Sequence, residues 1–370
     1  MRAAIGQKAL LPGQRVRVLV VDDSVVIRRL VTLALEQEPL LEVVGTAANG
    51  SIALERMAQL RPDVLTLDIE MPEMDGLELL RRIRYDESRP RVVMFSTLTE
   101  RGAALTLESL ALGADDYVTK AANAGSLDRS MASLRGELIP KIKQFFQLPQ
   151  AGMPAAPSPA PIRAVVPALG MTSRQRPEVL AIGVSTGGPT ALGTIIPQLP
   201  SDFPLPVLVV QHMPPLFTRF LAERLQAGTG LGVAEATEGT AVAPGKVLIA
   251  PGDYHMRVRR NGGSMVIALD QSPPENSCRP AVDVLFRSVS TAYGARALSV
   301  VLTGMGQDGL RGAAMLKAGG ACVIAQDEAS SVVWGMPGAV AAAGLADCIV
   351  PLEEVVPEVL RRISMASEAG

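Results

Sequence analysis

The sequence of 370 residues contains little cysteine, little histidine and few aromatic residues. Its three cysteines, Cys278, Cys322 and Cys348, are too few and too widely spaced to form a disulfide framework or a zinc site. This usage favours a reducing, cytoplasmic location. The formal net charge is -2, so binding of nucleic acid through general phosphate neutralisation is not expected.

Targeting and membrane signals are also lacking. Residues 1–14 have no apolar core of the kind that a secretory signal peptide needs. One uncharged run, residues 179–201, is long enough to resemble a membrane span. Its serines, threonine, glycines and prolines instead indicate a strand, a turn and a helix, so the chain is not expected to insert into a membrane.

The residues that are abundant predict large aliphatic cores. Hydrophobic residues make up 48% of the chain, aromatic residues only 3% and charged residues 19%. A chain of this length usually forms more than one domain. The composition therefore predicts two α/β domains.

Residues 15–138 alternate short β-branched runs with amphipathic segments of helical period. This pattern predicts a flavodoxin-like (βα)5 domain with parallel strands. The predicted strands are residues 17–21, 42–46, 64–67, 91–95 and 116–118. The predicted helices begin near Ser24, Asn49, Gly76, Arg101 and Ser126.

Residues 139–177 are rich in proline and alanine and predict a semi-rigid linker. Residues 178–366 then predict a second, doubly wound and mostly parallel α/β domain. Its predicted strands are residues 179–184, 207–211, 246–250, 265–269, 298–302, 321–325 and 348–350. The stretch 254–269 also fits a local antiparallel hairpin that turns at residues 261–263.

Acidic residues follow two neighbouring strands of the first domain. Asp22 and Asp23 come after the first strand and Asp68 ends another, so all three are expected at one sheet edge, where carboxylates suit Mg²⁺. Ser96 and Lys120 end two further strands, and together these groups suit phosphoryl transfer to an aspartate. Taken singly, the acids also fit a helix cap or an ordinary loop carboxylate.

The motifs VDDS, LDIEMPEMDG, FST and DDYVTK occur in the order and spacing of response-regulator receiver domains, which residues 15–138 resemble. The resemblance implies Asp68 as phosphoacceptor, a histidine kinase as phosphodonor and Mg²⁺ as cofactor. It implies that Asp22, Asp23 and the backbone carbonyl of Glu70 hold the metal. It also implies switch roles for Ser96, Tyr117 and Lys120. Ala121 departs from the family, which usually has proline there.

The segment GVSTGG matches the G-x-S-x-G turn that exposes a nucleophilic serine, here Ser185, between a strand and a helix. Amides near residues 186–188 would then stabilise an oxyanion. A glycine-rich phosphate cradle and a plain strand-to-helix turn are the alternatives.

A nucleophilic serine needs a base, and the chain has two histidines. His212 ends the strand after Ser185 and is the better placed, whereas His255 is expected at the surface or at a substrate rim. Asp308 follows a later strand and is expected to orient the imidazole. It also fits a simple cap for the helix that begins at Leu310. The weaker rivals for the orienting role are Asp253 and Asp270.

The motifs GVSTGGP, VVQHMP, APGDYH and LTGMGQDG resemble the catalytic domain of bacterial chemotaxis protein-glutamate methylesterases, the CheB family. The resemblance implies Ser185 as nucleophile, His212 as base and Asp308 as its partner, with Thr186 and Met305 beside the oxyanion or triad. It implies demethylation and deamidation of chemoreceptors without a cofactor in the hydrolase site. In the family the receiver packs over the catalytic face, and phosphorylation is expected to relieve this inhibition.

Two other functions fit the residues. One is a receiver-controlled serine esterase that acts outside chemotaxis on another protein or a small ester. The other is a receiver-controlled binding module whose second domain recognises a partner or nucleic acid. Arg257, Arg259 and Arg260 form a local basic patch, which fits a solvated face or a contact with an acidic receptor surface. The absence of a helix-turn-helix or a basic stripe weighs against nucleic acid as the partner.

Overall fold

The computed structural model describes residues 13–86, 88–120, 127–146, 148 and 175–368. These residues divide into two compact units, one up to residue 148 and the other from residue 175 onward. The predicted features at Ala121 and Ser126, and most of the predicted linker, lie outside the described residues. Within the described ranges, no helix is both long and apolar enough to cross a membrane.

The first unit is a parallel five-stranded sheet in the order β2-β1-β3-β4-β5. Its strands are β1 (Val16–Val21), β2 (Leu41–Ala47), β3 (Val64–Asp68), β4 (Arg91–Ser96) and β5 (Asp116–Thr119). Its helices are α1 (Val25–Leu35), α2 (Gly50–Leu60), α3 (Gly76–Ile83), α4 (Glu100–Leu112) and α5 (Leu127–Phe145). The predicted flavodoxin-like topology is confirmed.

Side-chain caps fix where the helices of this unit begin. The Ser24 hydroxyl accepts from the amide of Ile27 at the start of α1, and Asn49 accepts from Ile52 at the start of α2. Each cap satisfies an amide that has no partner inside its helix. Ser24 is thus the capping residue of α1, and Oδ1 of Asp22 accepts from the Ser24 amide at 2.9 Å.

Helix α5 continues to Phe145, beyond the predicted domain end at residue 138. The reason is an apolar stripe at helical spacing, since Leu138, Ile142 and Phe145 are all fully buried. Residues 139–145 therefore pack as part of the first unit, whereas the sequence predicts that the linker begins at residue 139.

The second unit is a parallel seven-stranded sheet in the order β14-β13-β12-β6-β7-β9-β8. Its strands are β6 (Val179–Val184), β7 (Val207–Gln211), β8 (Gly232–Glu235), β9 (Lys246–Ile249), β12 (Ala297–Val301), β13 (Cys322–Gln326) and β14 (Cys348–Val350). Its helices are α6 (Gly188–Ile195), α7 (Phe217–Gln226), α8 (Val282–Tyr293), α9 (Leu310–Ala318), α10 (Met336–Ala342) and α11 (Val355–Glu368).

Two details of this unit differ from the expectation. Strand β8 was not predicted, because Gly232–Glu235 is short and flanked by glycines and threonine. Residues 265–269 do not join the large sheet. They lie in β11 (Ser264–Asp270), which pairs antiparallel with β10 (His255–Asn261) in a separate two-stranded sheet, as the hairpin alternative predicted.

The order of the strands creates one crevice in each sheet. In the first unit, successive strands are added on opposite sides of the boundary between β1 and β3. In the second unit, the corresponding boundary lies between β6 and β12. Such switch points leave an opening at the carboxyl ends of the strands. Asp22 and Asp68 lie at the first opening, whereas Ser185 and the loop after β12 lie at the second.

Candidate active site and phosphorylation site

Ser185 lies directly after β6 and three residues before Gly188, the first residue of α6. Gly187 has φ of +78°, a left-handed conformation that glycine adopts without strain, so the chain can turn sharply there. The Ser185 amide donates to the Thr303 carbonyl at 3.0 Å, which ties the turn to the second residue after β12. The predicted strand-turn-helix geometry of a nucleophile elbow is present.

The amide of Gly188, one of those predicted to stabilise an oxyanion, has a different role. It donates to the carbonyl of Ser185 at 2.8 Å and so closes the turn. Thr186 is buried, and its carbonyl accepts from the Thr303 hydroxyl at 2.9 Å. Met305 is half-buried and follows Gly304, which packs against Ser185.

His212 and Asp308 form the pair that the sequence predicted. Nε2 of His212 lies 2.8 Å from Oδ2 of Asp308, and the carboxylate is 2% exposed. Nδ1 is then the ring nitrogen that does not face Asp308. His212 directly follows β7, and Asp308 lies in the loop after β12. These two strands lie on either side of β6, which Ser185 follows. The structure therefore gathers all three residues at one sheet edge.

The carboxylate of Asp308 is held by backbone amides as well as by the imidazole. The amides of Val282 and Asp283, the first residues of α8, donate to it at 2.6 and 3.0 Å. Asp308 thus faces the positive N-terminal end of α8, and it does not serve as a side-chain cap for α9. Burial opposes its charge, but His212 and these amides hold the pKa of Asp308 below its ordinary value of 3.8.

The protonated form of His212 is favoured. Burial acts to lower the pKa of the ring, but the Cys278 sulfur and the Asp308 carboxylate raise it above 6.5, to about 10. Cys278 Sγ lies 3.5 Å from Nδ1 of His212. The imidazolium that forms when a serine is deprotonated is therefore stabilised.

A buried side-chain amide links the backbones of Ser185 and His212. Nε2 of Gln211 donates to the carbonyl of Ser185 at 3.0 Å and to that of His212 at 3.3 Å. Gln211 is 2% exposed. Since it bonds both backbones, this side chain restricts how far Ser185 and His212 can move relative to each other.

Other residues considered at the sequence level do not join the site. Asp253 pairs with Arg279, and Asp270 pairs with Arg257. The expectation of an exposed His255 is wrong. The ring is 1% exposed, and its nitrogens contact the Ala281 amide and the Pro273 carbonyl, both at 3.2 Å.

At the edge of the first unit, Asp22, Asp23 and Asp68 each bring a carboxylate oxygen within 4.8 Å of the others. Such a cluster of hard oxygen ligands fits Mg²⁺. Nζ of Lys120 lies 2.7 Å from Asp68 Oδ2 and 3.0 Å from Asp22 Oδ2. Burial, together with Asp22 and against the effect of Lys120, raises the pKa of Asp68 from 3.8 to about 6.

Ser96 and Tyr117, the other two predicted switch residues, do not contact the Asp68 carboxylate in the way that Lys120 does. The Ser96 hydroxyl is buried and accepts from the Thr106 hydroxyl at 2.5 Å, and within the described structure it makes no hydrogen bond to Asp68. Tyr117 is buried, with Nζ of Lys141 5.0 Å from its ring centre. The side chain of Glu70 pairs with Arg101, which leaves the predicted role of its backbone carbonyl untested.

Comparisons with known proteins cover both units. Residues 180–359 match the family model described as CheB methylesterase, and residues 18–132 match that of the response regulator receiver domain. A protein of Nocardioides named protein-glutamate methylesterase/protein-glutamine glutaminase is 53% identical over 360 residues, covering 96% of each chain. The chain belongs to this family. A protein of the same name from Trichodesmium erythraeum is 48% identical and covers 94% of this chain and 99% of its own.

Solved structures of Thermotoga maritima CheB match the two units separately. Its methylesterase catalytic domain is 44% identical, with a TM-score of 0.49, and covers 50% of this chain and 98% of its own. Its response regulator domain is 41% identical, with a TM-score of 0.33, and covers 37% of this chain and all of its own.

Sequence reasoning missed three side chains that contact Ser185, His212 or Asp308, namely those of Gln211, Asn276 and Cys278. Gln211 directly precedes His212 in the motif VVQHMP, so its position at the end of the same strand could have indicated a role beside His212. Asn276 and Cys278 lie in a polar loop far from any predicted strand end, and no spacing rule connects such a loop with His212 or Asp308. Only the fold brings them together.

Proposed function

We propose that this chain hydrolyses the γ-methyl esters of glutamate side chains on chemoreceptors, releasing methanol, and deamidates glutamine side chains by the same chemistry. The observation that carries the proposal is the His212–Asp308 pair beside Ser185 at the switch point of the second sheet. The relatives that match nearly the whole chain bear the name of this activity.

Ser185 is the nucleophile in this proposal. As its hydroxyl oxygen bonds to the γ-carbonyl carbon, Nδ1 of His212 takes the hydroxyl proton, and the resulting imidazolium is stabilised by Asp308. The imidazolium then gives the proton to the departing methoxide, so that methanol leaves and an acyl-enzyme remains. With glutamine, ammonia leaves instead. Water deprotonated by His212 then hydrolyses the acyl-enzyme to glutamate and free Ser185.

Thr186 and Met305 flank this reaction centre in the proposal, close to where the oxyanion develops. Gln211 holds the backbone carbonyls of Ser185 and His212. No metal is needed in the hydrolase site, because serine, imidazole and carboxylate supply the nucleophile, the proton transfers and the charge stabilisation.

The first unit supplies control. We propose that a chemotaxis histidine kinase donates a phosphoryl group to Asp68, with Asp22, Asp23 and the Glu70 carbonyl holding Mg²⁺. The metal neutralises charge on the phosphoryl oxygens when it is bound. Nζ of Lys120 lies 2.7 Å from Oδ2 of Asp68, and it would pair with the phosphoryl group. Ser96 and Tyr117 would respond to the added charge, and the enzyme would act in the cytoplasm on the exposed helices of its receptors.

Mass spectrometry of a receptor cytoplasmic fragment tests the substrate directly. The fragment, methylated at its glutamates and carrying glutamines, is incubated with the full chain or with Ser185→Ala. We expect each methylated peptide to lose one CH₂ unit, and selected glutamines to become glutamate, only with the intact serine. If small esters are cleaved while the receptor peptides stay unchanged, the chemoreceptor assignment is wrong.

A further inference from the structure

A tight turn at Glu275–Cys278 lies against the His212–Asp308 pair. The amide of Glu275 donates to the Cys278 carbonyl at 3.1 Å, and the amide of Cys278 donates back to Glu275 at 2.9 Å. The two central residues, Asn276 and Ser277, have φ of +52° and +63°. Few residues other than glycine adopt such angles readily, and asparagine is the most tolerant of them.

The chain on either side of this turn is held by side chains. Arg287 donates to both carboxylate oxygens of Glu275. Arg279 donates to Asp253 and to the carbonyls of Gln271 and Ser272. The turn is therefore fixed relative to α8 and the sheet, and its side chains are presented in one orientation.

Asn276 uses that orientation to bridge two carboxylates. Its Nδ2 donates to Oδ1 of Asp308 at 2.8 Å and to Oδ2 of Asp283 at 3.0 Å. The side chain projects from an exposed turn, yet both acceptors are buried, with exposures of 2% and 1%. Without Asn276, no side chain in the described part of the protein would donate to both of these buried carboxylates, and their mutual repulsion would be opposed by backbone amides alone on the sides that face each other.

The two oxygens of Asp308 have separate partners. Oδ2 faces Nε2 of His212 and the amide of Val282, whereas Oδ1 accepts from Asn276 and from the amides of Asp283 and Gly309. Among the described residues, Asn276 is the one side chain that bonds Oδ1. A rotation of the carboxylate away from the imidazole would break the bond to Asn276.

We propose that Asn276 is a positioning residue for the hydrolase, which holds Asp308 so that its Oδ2 stays on His212. The inference rests on the proposed function, because it assigns Asp308 to the reaction described there. Asn276 does not touch the reacting atoms. Its contribution is to the orientation of the imidazole, so its loss should lower kcat and leave KM nearly unchanged.

The full-length chain provides a matched set of variants. Asn276→Gly removes the amide while keeping a residue that adopts a positive φ without strain. Asn276→Asp keeps the shape but replaces the donor by a carboxylate next to Asp308. Ser277→Gly is the control, since it makes the same change at the neighbouring left-handed position. Each variant is assayed for methanol release and for hydrolysis of an activated small ester, and its Tm is measured.

We expect kcat to fall about tenfold in Asn276→Gly and further in Asn276→Asp, with KM within about twofold, and Ser277→Gly to match the parent enzyme. An Asn276→Asp variant as active as the parent would overturn the proposal, as would equal losses in Asn276→Gly and Ser277→Gly. The small ester separates the two claims. If the parent enzyme hydrolyses the small ester but releases no methanol from receptors, the assignment of chemoreceptors as substrate is wrong. If kcat for the small ester is unchanged in both Asn276 variants, the positioning role is refuted.

Discussion

Nε2 of His212 and Oδ2 of Asp308 lie 2.8 Å apart, although 96 residues separate them in the chain. The strands that precede them, β7 and β12, lie on opposite sides of β6, which precedes Ser185. The amides at the start of α8 stabilise the carboxylate, and the carboxylate in turn stabilises the imidazolium. One crevice thus contains the serine, the histidine and the buried carboxylate to which the proposed mechanism assigns the nucleophile, the base and the acid that orients the base.

Asp308→Asn removes the negative charge from this pair and keeps its shape. The amide can no longer stabilise the imidazolium or select the tautomer that leaves Nδ1 as the base. We expect kcat for methanol release to fall by about 10³- to 10⁴-fold. Asp202→Asn, at an exposed position of the same unit, is the control and should retain full activity. A loss of less than about tenfold in Asp308→Asn would remove Asp308 from the mechanism.

The pH dependence follows from the raised pKa of His212. The base must be neutral to accept a proton from Ser185, and a pKa of about 10 means that the neutral fraction grows as the pH rises above neutrality. We expect kcat/KM for a small ester to increase between pH 7 and the pKa of the ring. The Cys278 sulfur contributes to raising that pKa.

Cys278→Ser removes the sulfur beside Nδ1 of His212 and puts a hydroxyl in its place. The acidic limb of the profile should therefore move to lower pH than in the parent enzyme. A limb that stays in place, or moves to higher pH, would show that Cys278 does not influence the base.

Metal removal separates the two sites. Phosphorylation of Asp68 is expected to need a cation at the carboxylate cluster, whereas the hydrolase site relies on side chains alone. With a small phosphodonor and Mg²⁺, methanol release by the full chain should rise, and EDTA should abolish the rise but spare the basal rate. A basal rate that EDTA eliminates would contradict a metal-free hydrolase site.

Asp68→Asn tests the phosphoacceptor without changing the metal supply. The amide cannot form an acyl phosphate, so the variant should keep its basal rate and lose all response to the phosphodonor. Asp86→Asn, an exposed change just beyond the end of α3, should respond like the parent chain. A full response in Asp68→Asn would place the phosphorylation elsewhere.

Gly304 keeps space for the nucleophile. A Cβ at this position would lie 2.8 Å from Ser185 Cβ and 2.5 Å from Met336 Sδ, so Gly304→Ala must displace one of them. We expect activity to fall by about 10- to 100-fold. Gly193→Ala, in α6 with no atom within 4 Å of the new Cβ, should retain activity and gain about 0.5–1 kcal/mol in the free energy of unfolding. Equal activity in both variants would contradict this role for Gly304.

The sequence predicted the features that arise from local patterns. Strand ends place Asp22, Asp68, Ser185 and His212, because the carboxyl edge of a parallel sheet follows from hydrophobic runs and crossovers alone. The sequence did not predict β8, because this strand is short and lies next to glycines. It also did not predict the end of α5, because a proline lies within the helix and more prolines follow it. Boundaries of this kind depend on which apolar residues find a packed surface.

The contacts that complete the active site required the fold. The bridge from Asn276 to Asp308 spans 32 residues and depends on left-handed angles in a turn that no periodicity marks. His255 illustrates the converse, because the sequence predicts a histidine at a strand start or in a rim loop and therefore at the surface. His255 is the first residue of β10, but its ring is buried. It is buried because its two nitrogens bond the ends of the segment that carries the Asn276 turn.

Methanol release from chemoreceptors that carry labelled methyl esters tests the central claim most directly. The full chain and Ser185→Ala are compared, each with and without a small phosphodonor and Mg²⁺. The account predicts release by the intact chain, a higher rate with the phosphodonor, and no release above background by Ser185→Ala under either condition. Release by Ser185→Ala at the parent rate would contradict the serine mechanism on which the proposed function depends.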